Sequence, residues 1–365
     1  MAINRVEIKD FLVFKGEFAA DFCPGVNVFI GGNGTGKTTL MKVMYRLCGN
    51  GKPRHTYEYF YSVGCPEFYA YDQPFEYLRM KTLIGDTESR ICVRVDRTCG
   101  SPDGDNANIY VDNVFRPYEP ASYIDDYTNS TMRYFEGTEA VFTSDNYKPF
   151  PSVYIPATNL LPNAYGLSQM IDDYEMDFDA TQVDALKNAQ RPGTRALQPN
   201  CKKLIGILSD IIDGEVLYDD GRFYIMKNSG RKVQFSIEAS GVVRLGLLWK
   251  LFRNGLLEDG KILFWDEPEN SLNPEQIPIL VDILLELSRN GVQVFLATHS
   301  EIMASYFSVN RKRSDAVMFH SLYRDSEIIR VESGDRFDLL DNNKLSSEPV
   351  KLYKKQLERG LSGNG

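Results

Sequence analysis

The sequence predicts an α/β fold: a central mixed or parallel sheet flanked by helices, with an antiparallel β-lobe and a helical lobe attached. Three apolar runs that stop abruptly at polar residues carry this expectation. Val26-Asn27-Val28-Phe29-Ile30 ends in a glycine-rich loop, Gly31-Gly32-Asn33-Gly34-Thr35-Gly36-Lys37-Thr38. Ile262-Leu263-Phe264-Trp265 ends in Asp266-Glu267-Pro268, and Val292 to Ala297 ends in Thr298-His299-Ser300. Short runs of this kind, bounded by turn residues, read as buried strands.

The glycine-rich loop fits G-x-x-x-x-G-K-[ST], the phosphate-cradling P-loop. Leu40, Met41, Val43, Met44 and Leu47 follow at helical spacing, so strand, loop and helix stand in the order the chemistry needs. Glycines let the backbone turn tightly and aim N–H groups at a β-phosphate, and the helix adds its positive end. The candidate nucleotide-binding residues are Gly31, Asn33, Gly34, Thr35, Gly36, Lys37, Thr38 and Thr39. Lys37 is expected to reach the β- and γ-oxygens of ATP, and the Thr38 hydroxyl to ligate Mg²⁺. A lone glycine-rich loop is a common surface feature; its setting makes this one a nucleotide site.

Residues 51–149 read as a β-rich insert. Its first half is aromatic: Tyr57, Tyr59, Phe60, Tyr61, Phe68, Tyr69, Tyr71, Phe75 and Tyr77. Stacking on bases needs basic neighbours, and here Glu58, Glu67, Asp72 and Glu76 interleave, so a β-lobe core or a protein contact surface is the expectation. Strands follow at Ile91 to Val95 and Asn108 to Val111, and another at Val153 to Ile155. The segment from Asn163 to Asp213 is helical in pattern, with an acidic stretch at Asp172 to Asp179 that suits a solvated or partner-facing helix better than a metal cluster.

Val216 to Ile225 predicts a hairpin turning at Asp220-Gly221. Phe235 to Glu238 reads as a strand giving way to Ala239-Ser240-Gly241. A helix then carries Val242, Leu245, Leu248, Trp249 and Phe252 until Asn254-Gly255. Serine and glycine opening a helix are most often an N-cap, yet they also make an anion site. Asp266 is placed to hold Mg²⁺ at the end of a strand expected beside the P-loop strand, and Glu267 to activate water as a general base. Pro274 opens a helix with Ile277, Leu280, Val281, Leu284 and Leu287 on one face, ending at Asn290-Gly291. His299, at a core strand end, can donate a hydrogen bond to a γ-phosphate or serve as an ordinary structural histidine; His55 and His320 have no such setting. Ala316 to Leu322 and Ile328 to Val331 are further strands, and Pro349 to Leu361 is a short amphipathic tail.

Composition narrows the class. The chain has 365 residues, enough for one large domain or two moderate ones, and a formal net charge of −9, so no overall basic field draws nucleic acid. The triplet Arg311-Lys312-Arg313 is too small to argue DNA binding alone. No apolar run reaches the roughly 18 residues of a membrane span, and Met1 to Asp10 lacks a signal-peptide layout. Six cysteines without C-x-x-C spacing read as reduced thiols, and the cytoplasm is the expected location.

P-loop, Ser-Gly helix, strand-Asp-Glu-Pro and strand-Thr-His, in that order, resemble the head of an ABC-type ATPase. More closely, the chain is similar to the bacterial AAA family ATPases AAA_15 or AAA_21, related to OLD and RecF-like proteins. Asn4 to Phe14 with Phe22-Cys23-Pro24-Gly25-Val26-Asn27 resembles their opening. Glu238 to Gly246 resembles their degenerate signature, and Asp266 to Pro274 their joined Walker B and D-loop. The resemblance covers roughly residues 1–50 and 150–325.

It implies a homodimer, or higher homo-oligomer, in which Ser240 and Gly241 of one subunit cap the γ-phosphate held by the other. Asn273 stands where transporter heads have an aspartate. Val242 replaces the second signature glycine, which implies slow turnover, and Asn159 is the nearest substitute for a Q-loop glutamine. The implied division is 1–50 with 150–160 as the P-loop part, 51–149 as the insert, and 161–213 as the helical lobe. Residues 214–325 then form the signature and Walker B part, and 326–365 the tail. Neither a Toprim-type carboxylate set nor a coiled-coil heptad run is present, so the resemblance implies a stand-alone head. The function it implies is an ATP-gated switch controlling a separate nuclease or toxin, as in anti-phage defence. The alternative is a RecF- or SMC-like DNA-binding clamp, and a third reading is a scaffold that binds ATP without hydrolysing it.

Overall fold

The computed structural model describes residues 2–48, 89–96, 107–115, 131–133, 138–144, 151–174, 178–343, 351 and 353–359. The aromatic run Tyr57 to Tyr77, His55 and residues 175–177 of the acidic stretch lie outside the described residues.

The strands in chain order are β1 (Ala2–Phe11), β2 (Phe14–Asp21), β3 (Val26–Gly31), β4 (Ser89–Asp96), β5 (Ala107–Phe115), β6 (Thr131–Arg133), β7 (Thr138–Ser144), β8 (Ser152–Ile155), β9 (Gly214–Asp219), β10 (Arg222–Lys227), β11 (Lys232–Gln234), β12 (Ile262–Asp266), β13 (Gln293–Ala297), β14 (Val317–Asp325) and β15 (Ile328–Gly334). Among the described residues they form a central sheet in the order β15-β14-β3-β13-β12-β8. Neighbours pair in parallel from β14 to β8, and β15 runs antiparallel on the edge. A second sheet, antiparallel throughout, has the order β2-β1-β4-β5-β7-β6, and β9 to β11 make a small third sheet. The antiparallel sheet therefore joins strands from both sides of residue 50.

Alternation along the parallel strands builds two cores. Val26, Val28, Ile30, Leu263, Trp265, Val294 and Leu296 face the helices Pro199–Ile212, Ser240–Arg253 and Ile277–Arg289. On the other face Phe29, Phe295, Phe264 and Tyr154 stack side by side across β3, β13, β12 and β8, beneath Leu40, Met41, Val43 and Met44 of the Lys37–Cys48 helix. Gln293 stitches the two sheets together. Its Oε1 accepts from the Ile3 N–H at 2.8 Å, and its Nε2 donates to the carbonyls of Ile3 and Cys23 at 2.8 Å each. A buried amide with every bond satisfied locks β1 onto the end of β13.

Two expectations are corrected. The strand carrying Asp266 does not lie beside the P-loop strand: β13 runs between β12 and β3, so the strand ending in Thr298-His299 is central. Phe235 to Glu238 is not a strand. The strand stops at Gln234 and a 3-10 turn, Phe235–Ile237, follows. Phe235 buries under the helix while Ile237 faces solvent, which a strand packed on one face does not allow. The hairpin at Asp220-Gly221 forms as read, with φ of 46° and 71° at the two turn residues.

Candidate active site

The P-loop leaves β3 at Gly31 and enters the Lys37–Cys48 helix. Gly36 has φ 87°, and a Cβ there would sit 2.8 Å from side-chain carbons of both Val13 and Phe14, so the β1–β2 turn closes directly on the loop. Thr35 Oγ1 donates to the Gly32 carbonyl at 2.9 Å. From outside, Arg324 at the end of β14 donates to the Gly34 carbonyl at 3.2 Å. Lys37 Nζ donates to the carbonyls of Gly31 and Gly32 at 2.9 and 3.0 Å. Burial pushes its pKa down to about 8, against the pull of Asp266, Glu267 and Glu269.

Thr38 Oγ1 donates to Asp266 Oδ2 at 2.9 Å, joining the P-loop helix to the end of β12. Burial raises the Asp266 carboxyl to about 6, although the Thr38 bond favours its ionised form. Glu267 follows with φ 47°, an uncommon conformation for a non-glycine residue, and its N–H donates to the Ala297 carbonyl at 2.8 Å. That turn sends the Glu267 side chain toward the next strand, where His299 Nε2 lies 3.6 Å from its Oε1. Burial and the charge of Lys37 hold the His299 pKa below its usual value, so at neutral pH the carboxylate faces a neutral ring.

Lys37, Thr38, Asp266, Glu267 and His299 thus meet around one loop, brought by three neighbouring strands. Among the described residues, no hydrogen bond joins Ser240 or Gly241 to these groups. They begin the Ser240–Arg253 helix, whose N-cap residue is Ala239 with no side-chain cap, so Ser240 is not the cap. A Cβ on Gly241 would lie 2.4 Å from the Ser271 carbonyl oxygen, which sets the signature helix against the turn preceding Asn273. Asn273 Oδ1 accepts from the Glu275 N–H at 3.3 Å and caps the short turn Pro274–Gln276 ahead of the next helix. Asn159 Oδ1 accepts from the Leu161 N–H at 3.2 Å, a local cap.

Sequence reasoning passed over three groups that border the site. Arg244, on the signature helix, is buried and donates to the carbonyls of Pro156 and Ala157 beyond β8. Burial lowers its pKa, and Glu269, Glu267 and Asp266 act the other way. Lys42 pairs with Asp179, the N-cap of the Ala180–Gln190 helix, and ties the P-loop helix to the helical lobe. Glu269 accepts two hydrogen bonds from the end of β13. Only Glu269 carried a signal, as a third acid two residues past Glu267.

The family described as "AAA domain, putative AbiEii toxin, Type IV TA system" matches residues 105–304, and "AAA ATPase domain" matches residues 1–113. Among curated proteins, the DNA replication and repair protein RecF of Heliobacterium modesticaldum is 43% identical over 54 residues. That match spans 15% of this chain and 14% of the relative's length. Among solved structures, an Smc head bound to the C-terminal winged-helix domain of ScpA has a TM-score of 0.54 at 12% identity, covering 92% of this chain and 98% of that one. The Smc head with an extended coiled coil, bound to the C-terminal domain of ScpA derived from Pyrococcus furiosus, has a TM-score of 0.52 at 11% identity, covering 97% and 99%. These likenesses fix the fold as that of an ABC-type head. Among the described residues no helix is long and apolar enough to cross a membrane.

Proposed function

The chain belongs to the AAA-domain ATPase family matched over residues 105–304, and on that premise we propose that it is a slow, ATP-gated dimeric switch acting on a separate effector. The observation that carries the reading is the 2.9 Å bond from Thr38 to Asp266, with Glu267 and His299 alongside. A hydroxyl and a carboxylate held oxygen to oxygen are the donor set a hard divalent cation takes, so these residues fit Mg²⁺. Bound there, the ion supplies charge neutralisation for the phosphates.

The chain's own residues do the rest. The P-loop amides and Lys37 bind the triphosphate of ATP. Glu267 orients a water and takes its proton, and the neutral His299 donates to the γ-phosphate. Ser240 and Gly241 open a helix with uncapped N–H groups and close the site of a second copy, where Val242 in place of a glycine slows turnover. The family description, with its toxin and toxin–antitoxin wording, supports a role tied to a toxin system. The RecF match and the Smc-head fold support the second reading, a DNA clamp whose grip ATP controls, while the net charge of −9 weighs against it.

The test is the solution mass of wild type and Glu267→Gln, each with and without MgATP, alongside phosphate release. The expected result is roughly a 10²–10⁴-fold loss of turnover in the variant, with accumulation of an ATP-bound dimer. Mass and turnover that ignore both ATP and the substitution would refute it.

A further inference from the structure

Glu269 lies outside the set of groups that touch the nucleotide in the proposed function. It follows Pro268 in the turn after β12, so it reaches the same strand end as Glu267 from a different angle. Its Oε1 accepts from Thr298 Oγ1 at 2.7 Å and from the His299 N–H at 2.9 Å. The bonded Thr298 hydroxyl in turn accepts from the Ser300 N–H at 2.9 Å, and the Thr298 N–H donates to Phe29 in β3 at 3.0 Å. One carboxylate oxygen thereby gathers the backbone on both sides of His299 and pins it to the central sheet. The other oxygen, Oε2, is buried with no hydrogen-bond donor among the described residues. The two bonds at Oε1 are what orient this carboxylate.

The consequence falls on the distance between His299 and Glu267. The His299 ring stands 3.6 Å from the Glu267 carboxylate, and the Glu267 backbone is itself tied to Ala297. The turn after β12 that carries Glu267 is bonded to Ala297, the last residue of β13, two residues before His299, and Glu269 is the side chain that holds the His299 end of that arrangement. We propose that Glu269 is a positioning residue for ATP hydrolysis: its bonds to Thr298 and His299 set the imidazole against the Glu267 carboxylate and the γ-phosphate position. This rests on the hydrolytic reading of Glu267 and His299.

The experiment compares full-length wild type, Glu269→Ala, Glu269→Gln, His299→Ala, Glu269→Ala/His299→Ala and Glu267→Gln. Steady-state MgATP hydrolysis is read together with hydrogen exchange of the 298–300 backbone amides. Glutamine keeps an acceptor oxygen and alanine removes it. We expect Glu269→Ala to lower kcat at least about tenfold with KM within about twofold, and Glu269→Gln to stay within about threefold of wild type. Amide exchange at 298–300 should quicken in Glu269→Ala and be restored in Glu269→Gln. In the double variant the two losses should not multiply, because Glu269 acts through His299.

An active wild type beside an equally active Glu269→Ala, unchanged exchange, or losses that multiply would overturn this inference alone. A wild type no faster than Glu267→Gln overturns the hydrolytic reading and this inference with it.

Discussion

Replacing Asp266 by asparagine should stabilise the empty protein while destroying its use of MgATP. Asp266 sits buried at the end of β12, and burial moves its carboxyl from the ordinary 3.8 to about 6. The unfolded chain releases this proton near pH 4 and the folded chain near pH 6, so the folded state binds more protons in that window. Stability from this group is therefore full below pH 4 and is lost as pH rises through 6. The shift corresponds to ~3 kcal/mol against the ionised folded form, an upper bound because Thr38 donates more weakly to a neutral asparagine oxygen than to a carboxylate. Urea denaturation in chelator, at pH 4.5, 6 and 8, should show a gap that opens with pH to roughly 1–3 kcal/mol in favour of Asp266→Asn. Saturating MgATP should shrink or reverse that gap, since ligand at a hundred times its Kd adds ~2.7 kcal/mol to the wild type alone. A variant no more stable than wild type at pH 8, or a gap that does not vary with pH, would refute the reasoning.

Nucleotide affinity should fall as pH rises through about 8, because Lys37 loses its charge there and phosphate binds the charged form. Fluorescent-nucleotide titrations at pH 7, 8 and 9 check this, and Lys37→Met should remove both most of the affinity and its pH dependence. Gly241→Ala places a carbon 2.4 Å from the Ser271 carbonyl oxygen, so it should cost roughly 1–3 kcal/mol even though alanine favours a helix. A thermal melt of Gly241→Ala at or above that of wild type would mean the signature helix does not bear on the Ser271 turn.

Local chemistry made much of this molecule legible from the chain alone. Apolar runs such as Phe264-Trp265 and Phe295-Leu296 read as buried strands, and the glycines before Lys37 as a tight turn between a strand and a helix. The Asp220-Gly221 hairpin and the face of Ile277, Leu280, Val281, Leu284 and Leu287 were equally self-contained, since each depends on residues within a few positions of one another. Phe235 to Ile237 misled because two apolar residues at alternate positions suggest a strand, and only packing under the signature helix shows that Ile237 is left outside.

The sequence by itself determined that the apolar runs at Val26 to Ile30, Ile262 to Trp265 and Val292 to Ala297 contain buried strands, where the glycine-rich turn lies, and which acids and histidine stand at strand ends. The tertiary structure alone decided that β13 runs between β3 and β12, that Gln293 ties the antiparallel sheet to the core, and that Glu269 holds His299. Periodicity records how one strand meets a core. It carries no mark of which distant strand lies beside it, because that choice is made by pairing and packing between segments far apart in the chain.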